Sequence, residues 1–445
     1  MDFNKIKQAI AQAAARAGIA EYEIYYMQDR SVSAETLKHE ISSLTGTISG
    51  GLCFRCNVNG KIGYASTELM DTDEMEALVG RAAANAGYLE SEGEGIIFAG
   101  SEAYQTINAP EPVILDAAHI KQMALDIQEQ MYAADSHVTE GSEAAVMSSE
   151  MTVRIVNSHG LDLSNHVGRN LGYAMAVVNV DNEPASSFEM RSGSQKTDFD
   201  GMAEKAVKDA LAKIGAGHVE TGVYSVVFDK STMAQLLAAF SSVFSAKNAM
   251  MGLSLLKGKE GEKIAADCVT ISDDPFRKGY EFQTPFDAEG VATYRKNVVD
   301  KGVLKTLLYN LAVAQKMGVQ TTGNASKHSY SAGVDVSPYC FCIEGSNMTE
   351  AELLAKAGQG IYVDELGGLH AGVNEQTGDF SVEASGFMIE NGQKGRPVKT
   401  FTVAGNFFDL LKNIVAVSDE VKIQLGGFTT FGAPCVLVHS ISVAG

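Results

Sequence analysis

The hydrophobic pattern of the amino-terminal half switches repeatedly between a helical and a strand period. Apolar side chains recur every three or four residues near positions 6–17, 75–86, 120–131 and 202–214, which predicts four amphipathic helices. Between them, shorter segments alternate apolar and polar residues and indicate strands, at residues 21–28, 52–57, 61–66, 152–156, 161–165 and 173–180. Asn59-Gly60 stands between two of these segments and predicts a tight β-hairpin.

The carboxyl-terminal half is dominated by short apolar runs of strand length. They recur between residues 223 and 442, and helical patterns interrupt them at residues 231–247, 351–357 and 405–415. The glycine-rich segment 215–222, GAGHVETG, separates the two halves. We therefore predict an α+β protein, with a mixed domain over residues 1–217 and a larger β-rich domain with a few helices over residues 218–445.

Composition excludes several classes of function. The 445 residues include 55 acidic and 35 basic side chains, for a net charge of −20. A diffuse negative field repels phosphate, so we expect no direct binding of nucleic acid. No run of 18 apolar residues occurs, so no membrane span is predicted. Six cysteines are too sparse for a disulfide scaffold, and the first residues do not read as a signal peptide, so we expect a cytoplasmic protein.

Short motifs that often carry chemistry are few. Cys53-Phe-Arg-Cys56 lies in a strand-like run rather than at a helix start, which disfavours a redox role. Cys340-Phe-Cys342 places two thiols on one face of a strand without further metal ligands beside them. The sequence has no Walker A loop and no Gly-x-Ser-x-Gly elbow. Nucleotide binding and this type of serine hydrolase are therefore not supported.

The most informative stretch is a succession of four short motifs near the carboxyl end. They read TGDFS at residues 377–381, ASGF at 384–387, ENG at 390–392, and AGN at 404–406, immediately before an apolar helix. This succession resembles the carboxyl-terminal domain of the TldD/PmbA family, whose members were described as modulators of DNA gyrase. The family pairs a zinc peptidase, TldD, with a metal-free sister, PmbA or TldE.

The zinc-binding sister carries HExxxH on a helix early in this domain. The corresponding residues here, 231–246, contain no His, Cys, Asp or Glu, and the motif positions fall on Ala238, Ala239 and Val243. The family's third ligand is a cysteine near the carboxyl end, where this chain reads GGFTT at residues 426–430 and offers only Cys435 further on. The resemblance therefore implies the PmbA/TldE side, with no cofactor in this chain and zinc in a TldD-like partner.

The resemblance also implies a cleft for an extended peptide, formed by the sheets of the carboxyl-terminal domain. We expect Gly378, Asp379, Ser385 and Gly386 to line that cleft or to contact the partner, with no catalytic residue in this chain. Asp379 follows Gly378 and also suits a turn. Gly386 lies within a strand, where glycine often marks a bulge or a close backbone approach. Strand addition through main-chain hydrogen bonds would need few special side chains.

The function implied is that of the non-catalytic subunit of a cytoplasmic TldD-type zinc metalloprotease acting on short or unfolded peptides. The expected partners are a TldD-like sister, a peptide substrate and, when the chain is alone, a second copy. Two alternatives stay open from the residues themselves. One is a regulatory binding protein, a modulator of DNA gyrase without a peptidase role. The other is an autonomous hydrolase whose site is unrecognised.

Overall fold

The computed structural model describes residues 3–88, 96–107, 111–195, 197–424 and 429–445. The helices are α1 (Phe3–Arg16), α2 (Thr72–Gly87), α3 (Ala117–Ala134), α4 (Met202–Leu211), α5 (Lys230–Ala239), α6 (Ala246–Met250), α7 (Leu311–Met317), α8 (Glu350–Ala357), α9 (Leu369–Gly372) and α10 (Phe407–Lys412). The strands of the amino-terminal half are β1 (Glu21–Leu37), β2 (Glu40–Val58), β3 (Lys61–Thr67), β4 (Glu143–Asn157), β5 (Asp162–Val180) and β6 (Glu183–Gly193).

The strands of the carboxyl-terminal half are shorter on average and more numerous. They are β7 (Gly222–Phe228), β8 (Ile271–Asp273), β9 (Lys296–Asp300), β10 (Val303–Leu304), β11 (Ala325–Ser326), β12 (Asp335–Val336), β13 (Cys340–Ile343), β14 (Gly360–Gly367), β15 (Asp379–Glu390), β16 (Gln393–Asn406), β17 (Ile414–Val417), β18 (Lys422–Gln424), β19 (Thr430–Ala433) and β20 (Val436–Ala444). Helices and strands are mixed along the chain, which confirms the α+β class.

A single antiparallel sheet organises the amino-terminal half, in the strand order β3-β2-β1-β4-β5-β6. Its two faces follow from the alternation of side chains along each strand. Ile24 and Tyr26 of β1 pack against α1 and α2, whereas Tyr25 and Met27 pack against Phe286 and neighbouring side chains of the carboxyl-terminal half. Helices α3 and α4 cover the far end of the first face. The sheet is therefore covered on one face by its own helices and on the other, in part, by the carboxyl-terminal half, whereas residues 44–49 of β2 are exposed.

Local sequence signals explain several boundaries in this half. Asn59 and Gly60 have φ values of 53° and 82°, as a hairpin turn with two positive φ values requires, and they join β2 to β3. This confirms the predicted hairpin. Asp71 caps α2 by accepting a hydrogen bond from the backbone N–H of Glu74 at 2.8 Å. Helix α2 therefore begins at Thr72, directly after its cap.

Two six-stranded sheets and one two-stranded sheet form the carboxyl-terminal half. One sheet has the order β10-β9-β8-β13-β19-β18, and the other has the order β16-β15-β14-β7-β20-β17. In the second sheet β16 also pairs with β20, so five strands close into a ring. The largest apolar cluster of the described residues joins side chains of this ring, of α5 and of the other six-stranded sheet, with Phe228, Phe240 and Phe341 at full burial. Within the described ranges, no helix has both the length and the apolar character needed to cross a bilayer.

The helix predicted over residues 231–247 is wrong in its extent. Helix α5 ends at Ala239, a 3₁₀ helix follows at Ser241–Phe244, and α6 begins only after Ser245. The Ser245 side chain accepts from the N–H of Asn248 and so caps α6. Serine side chains compete with helical backbone bonds, and the continuous apolar period of this segment gave no sign of the break.

Two of the short apolar runs of the carboxyl-terminal half, residues 291–297 and 304–309, have the length of a strand but form strands only in part. The observed strands are β9 and β10, and most of residues 251–339 form turns and irregular backbone. Glycines with a left-handed φ recur through this segment, at Gly252, Gly258, Gly261, Gly279 and Gly290. Each of them turns the chain in a way that a strand cannot continue. The apolar runs there serve as anchors of loops rather than as strands.

Candidate functional site

An open cleft of about 790 Å³ lies where β15 begins. The end of α9 with the residues that follow it, 371–376, and the first residues of β15, 379–381, form one wall. Ser242, Asn248 and Leu253, which follow α5, form the other wall. The Ser242 hydroxyl donates a hydrogen bond to the Glu375 carboxylate, so the two walls are joined at one point. The volume of the cleft lies within the range of ligand-binding clefts in proteins.

The cleft continues along the exposed side of α5. A second depression of about 470 Å³ shares Val373 and Glu375 with the cleft and is lined on its other side by Gln235, Ala238 and Ala239. These three positions lie on one face of α5, because residues three and four apart in a helix are neighbours. The groove as a whole therefore runs from α5 to the start of β15.

An ordered turn presents Asp379 to this cleft. Its carboxylate accepts hydrogen bonds from Thr377 Oγ1 at 2.8 Å and from Asn406 Nδ2 at 2.9 Å. These two bonds, that of Asn406 first, lower the pKa of the exposed Asp379 carboxyl. Gly378 has a φ of +84°, and a Cβ there would lie 2.6 Å from the Phe408 ring. The motifs TGD and AGN are thus two parts of one structure, because Asn406 binds both Asp379 and the Thr377 carbonyl.

The other two predicted residues lie further along β15. Ser385 donates a hydrogen bond to Glu365 at 3.1 Å, and Gly386 is buried between Val363 of β14 and Val398 of β16. Seven residues of strand separate Asp379 from Gly386, or ~23 Å. The structure therefore places Asp379 at the cleft, with Gly378 beside it in the turn, and does not bring Ser385 and Gly386 there.

A peptidase metal would need ligands on α5, and the residues there do not fit one. Ala238 and Ala239 face the groove but carry no donor atom, and Val243 is fully buried in the core. Across the groove, His370 and Glu375 are the lining residues with ligating side chains. No group of three or more His, Cys, Asp or Glu side chains in the described part of the chain is arranged to hold a metal ion.

Cys435 is the cysteine closest in sequence to the position of the family's third ligand. It lies near the start of α5, whereas Ala238 and Ala239, at the metal-motif positions, lie at the end of that helix. Its Sγ is 3.8 Å from Tyr362 Oη, which donates at 2.6 Å to Asp229, the residue that caps the start of α5. Ala238 is eight residues further along the helix than Lys230, or ~12 Å. Burial raises the pKa of the Cys435 thiol to about 12, so it is a protonated core group. Of the GGFTT motif, residues 426–428 lie outside the described residues.

The remaining cysteine motifs form no redox or metal site. Cys53 and Cys56 belong to apolar clusters on opposite faces of the first sheet, so their thiols point away from each other. Cys340 and Cys342 have their sulfur atoms 3.6 Å apart, fully buried on one face of β13. Their mutual hydrogen bond and burial raise the pKa of Cys340. Both thiols are packing groups beside Tyr280.

Sequence reasoning missed a buried ionic cluster between the two halves. Arg55 of β2 lies 3.1 Å from Glu23 and 3.8 Å from Glu289, and each of the three side chains is at most 12% exposed. Burial raises the pKa of Glu23, and the positive charge of Arg55 opposes that rise. The signal was present as an arginine within the apolar run LCFRC at residues 52–56. A charge in such a run needs a buried partner.

Comparison with known proteins identifies the class to which this fold and cleft belong. Sequence models of the PmbA/TldA metallopeptidase family match three segments of the chain: domain 1 at residues 22–86, the central domain at 110–214 and the C-terminal domain at 221–445. The chain belongs to this family, which confirms the resemblance drawn from its motifs.

Relatives are similar over most of their length. A protein of Haemophilus influenzae described as a metalloprotease PmbA homolog is 27% identical over 439 residues, which cover 94% of this chain and 92% of that protein. A metalloprotease of Archaeoglobus fulgidus is 33% identical over 249 residues, covering 54% of this chain and 56% of that protein.

Solved structures share the whole fold. A candidate modulator of a DNA gyrase from Thermotoga maritima is 28% identical with a TM-score of 0.90, covering 99% of this chain and 100% of that one. TldE from Thermococcus kodakarensis has a TM-score of 0.89 and covers 99% of this chain and 100% of that one. At 22% identity, this is a likeness of fold alone.

Proposed function

We propose that this chain is the metal-free, PmbA/TldE-like subunit of a two-chain zinc peptidase that acts on short or unfolded peptides. The observation that carries the proposal is the groove along α5, where Ala238 and Ala239 stand at the positions that the family's metal motif would occupy. The groove has room for a peptide and has no metal ligands on α5. In this proposal a TldD-like chain supplies the zinc, its bound water and the general base.

The role of this chain would be to hold the peptide against the partner's site. Asp379 has a lowered pKa and is exposed at the cleft, so it offers a permanent negative charge to a peptide amine, a basic side chain or a backbone N–H. Gly378 would keep the turn in place rather than touch the peptide. We assign no peptide contact to Ser385 and Gly386, because their surroundings are other strands of the same ring.

The proposal includes a compartment. All six cysteines are free thiols, and five of them are buried. Such thiols persist in a reducing environment, which supports a cytoplasmic location for the complex. The expected substrates are therefore peptides present in the cytoplasm, either fragments of degradation or precursors that mature by trimming.

Three measurements on purified protein test this function. The chain alone should contain less than stoichiometric zinc by elemental analysis and should not cleave unfolded peptides. A mixture with a TldD-like chain bearing HExxxH should cleave them, and a chelator should abolish the activity. Asp379→Ala in the mixture should raise KM for a basic peptide, whereas Asp409→Ala, an exposed carboxylate outside the cleft, should not.

Each other outcome selects a different function. Zinc bound tightly at one ion per chain would refute the metal-free assignment. Peptide cleavage by the chelator-treated chain alone would favour an autonomous hydrolase. Capture of purified DNA gyrase with no cleavage by any mixture would favour the regulatory alternative, which is how the Thermotoga maritima relative is described.

A further inference from the structure

The two walls of the cleft at the start of β15 differ in charge. Glu375 and Asp379 belong to one wall, and both residues are exposed. The other wall, formed by Ser242, Asn248 and Leu253, carries no charge, and Leu253 is an apolar residue at 39% of its full exposure. The described residues that line the cleft and the adjoining depression along α5 include no lysine and no arginine. The cleft is therefore acidic on one side and uncharged, with an exposed apolar group, on the other.

A single turn, residues 374–379, holds both carboxylates of the acidic wall. A hydrogen bond from the Asn374 N–H to the Asp379 carbonyl at 2.8 Å closes this turn. Within the described chain, the side-chain donors to Glu375 and Asp379 are hydroxyl and amide groups rather than cations, and they belong to Ser242, Thr377 and Asn406. The two negative charges are therefore held in place without being neutralised, and they can bind a cation that enters the cleft.

The charge of the whole chain strengthens the field of this wall. The net charge is −20, so no excess of positive charge elsewhere offsets the two carboxylates. Clefts lined by one sign of charge concentrate their field and attract ligands of the opposite sign. Among the described lining residues, His370 at the α5 end is the remaining titratable group. The field at the cleft therefore favours cationic side chains and disfavours anionic ones.

An extended peptide presents its successive side chains to opposite sides. A peptide that lies along the cleft would therefore turn one set of side chains toward the acidic wall and the other set toward Leu253. A basic side chain on the first side can pair with a carboxylate, and an apolar side chain on the second side can bury apolar surface against Leu253. The opposite placement would bring a charge against Leu253 and leave the carboxylates unpaired. The two walls therefore distinguish peptides by the order of their residues as well as by their composition.

We propose that this cleft selects unfolded peptides in which basic and apolar residues alternate, with Glu375 and Asp379 binding the basic side chains and Leu253 contacting the apolar ones. The inference rests on the proposed function and adds the class of substrate to it. Peptides with the same alternation but acidic side chains are repelled by the acidic wall. Peptides in which basic and apolar residues form separate blocks match one wall at a time.

Three synthetic peptides test this selection on the isolated chain. KLKAKLKA alternates basic and apolar residues, KKKKLALA has the same composition in blocks, and ELEAELEA reverses the charge. Fluorescence anisotropy of the labelled peptides should give KLKAKLKA the lowest Kd, roughly fivefold or more below that of KKKKLALA. Added salt should narrow the difference between KLKAKLKA and ELEAELEA, because exposed charges are screened. Equal Kd values for the two peptides of identical composition would overturn the proposal.

Substitutions in each wall test the assignment of the two sides. Glu375→Lys should weaken KLKAKLKA and strengthen ELEAELEA, each by about two- to fivefold, whereas Glu375→Gln should only weaken KLKAKLKA. Leu253→Ser should weaken KLKAKLKA by a similar factor and leave KSKAKSKA, which has no leucine, unchanged. Met317→Ser changes an exposed apolar residue outside the cleft, so as the matched control it should alter neither peptide. An undiminished preference of the Glu375→Lys chain for KLKAKLKA would contradict the acidic wall.

Cleavage by the mixture with a TldD-like chain separates this inference from the proposed function. If both hold, kcat/KM should be higher for KLKAKLKA than for KKKKLALA, and Leu253→Ser should reduce the difference. Equal cleavage of both peptides, with no difference in their binding, would overturn the selection and leave the peptidase function standing. A difference in binding without cleavage by any mixture would support the selection and refute the peptidase function.

Discussion

Substitution of Gly386 by alanine should destabilise the carboxyl-terminal half strongly. Gly386 is paired with Val363 of β14 on one side and Val398 of β16 on the other, next to an irregularity in both ladders. A Cβ at this position would lie 1.9 Å from the Tyr362 carbonyl oxygen and 2.9 Å from its carbonyl carbon. Gly386 is therefore required by the close approach of β14.

The magnitude follows from what must move. Contacts of a Cβ below 3.0 Å are essentially never seen, so β14 and β15 must separate by about an ångström. Overpacking of a rigid interior costs about 1–3 kcal/mol. Each weakened ladder hydrogen bond adds ~1 kcal/mol. We expect Gly386→Ala to lower the free energy of unfolding by ~2–4 kcal/mol, and the melting temperature by ~5–15 °C for a domain of this size.

Thermal and urea unfolding of the purified chain measure this effect. The control is Gly80→Ala in α2, where a Cβ meets nothing within 4 Å. Alanine should stabilise that helix by ~0.5–1 kcal/mol, so the two substitutions should have opposite signs. An unchanged or higher melting temperature for Gly386→Ala, with Gly80→Ala behaving as expected, would refute the steric argument. If such a stable variant also failed to process peptide with its partner, Gly386 would belong to the cleft after all.

Two further predictions concern buried charges. Burial raises the pKa of Asp364 from the usual 3.8 to about 6. Between pH 3.8 and pH 6 the folded chain therefore holds a proton that the unfolded chain has lost, so the free energy of unfolding falls as the pH rises through this range. Asp364→Asn should remove this pH dependence and stabilise the protein at pH 8 by up to ~3 kcal/mol. Urea unfolding at pH 4.5 and pH 8 measures the effect. Equal effects at both pH values would contradict the raised pKa of Asp364. Arg55→Ala removes the ion-pair partner of the buried Glu23 and Glu289 carboxylates and should cost ~3–5 kcal/mol in urea unfolding at neutral pH. A loss below ~1 kcal/mol would contradict this reasoning.

The parts of the fold that could be read from the sequence are those set by local periodicity and turn chemistry. The alternation of Ile24 and Tyr26 against Tyr25 fixed β1, and Asn59-Gly60 fixed the turn into β3. Both signals act within a few residues. The motif succession at residues 377–406 likewise led to a real structural unit, the turn that holds Asp379 at the cleft.

The parts that could not be read depend on distant contacts. The break between Ala239 and Ser245 lies where the backbone of Phe244 and Ala246 exchanges hydrogen bonds with Leu308, far along the chain. Gly386 looked like a site of ligand approach, and the sequence could not reveal that β14 lies against it, because that pairing joins residues far apart in the chain. The ion cluster of Arg55 was hidden for the same reason, since Glu289 comes from the other half.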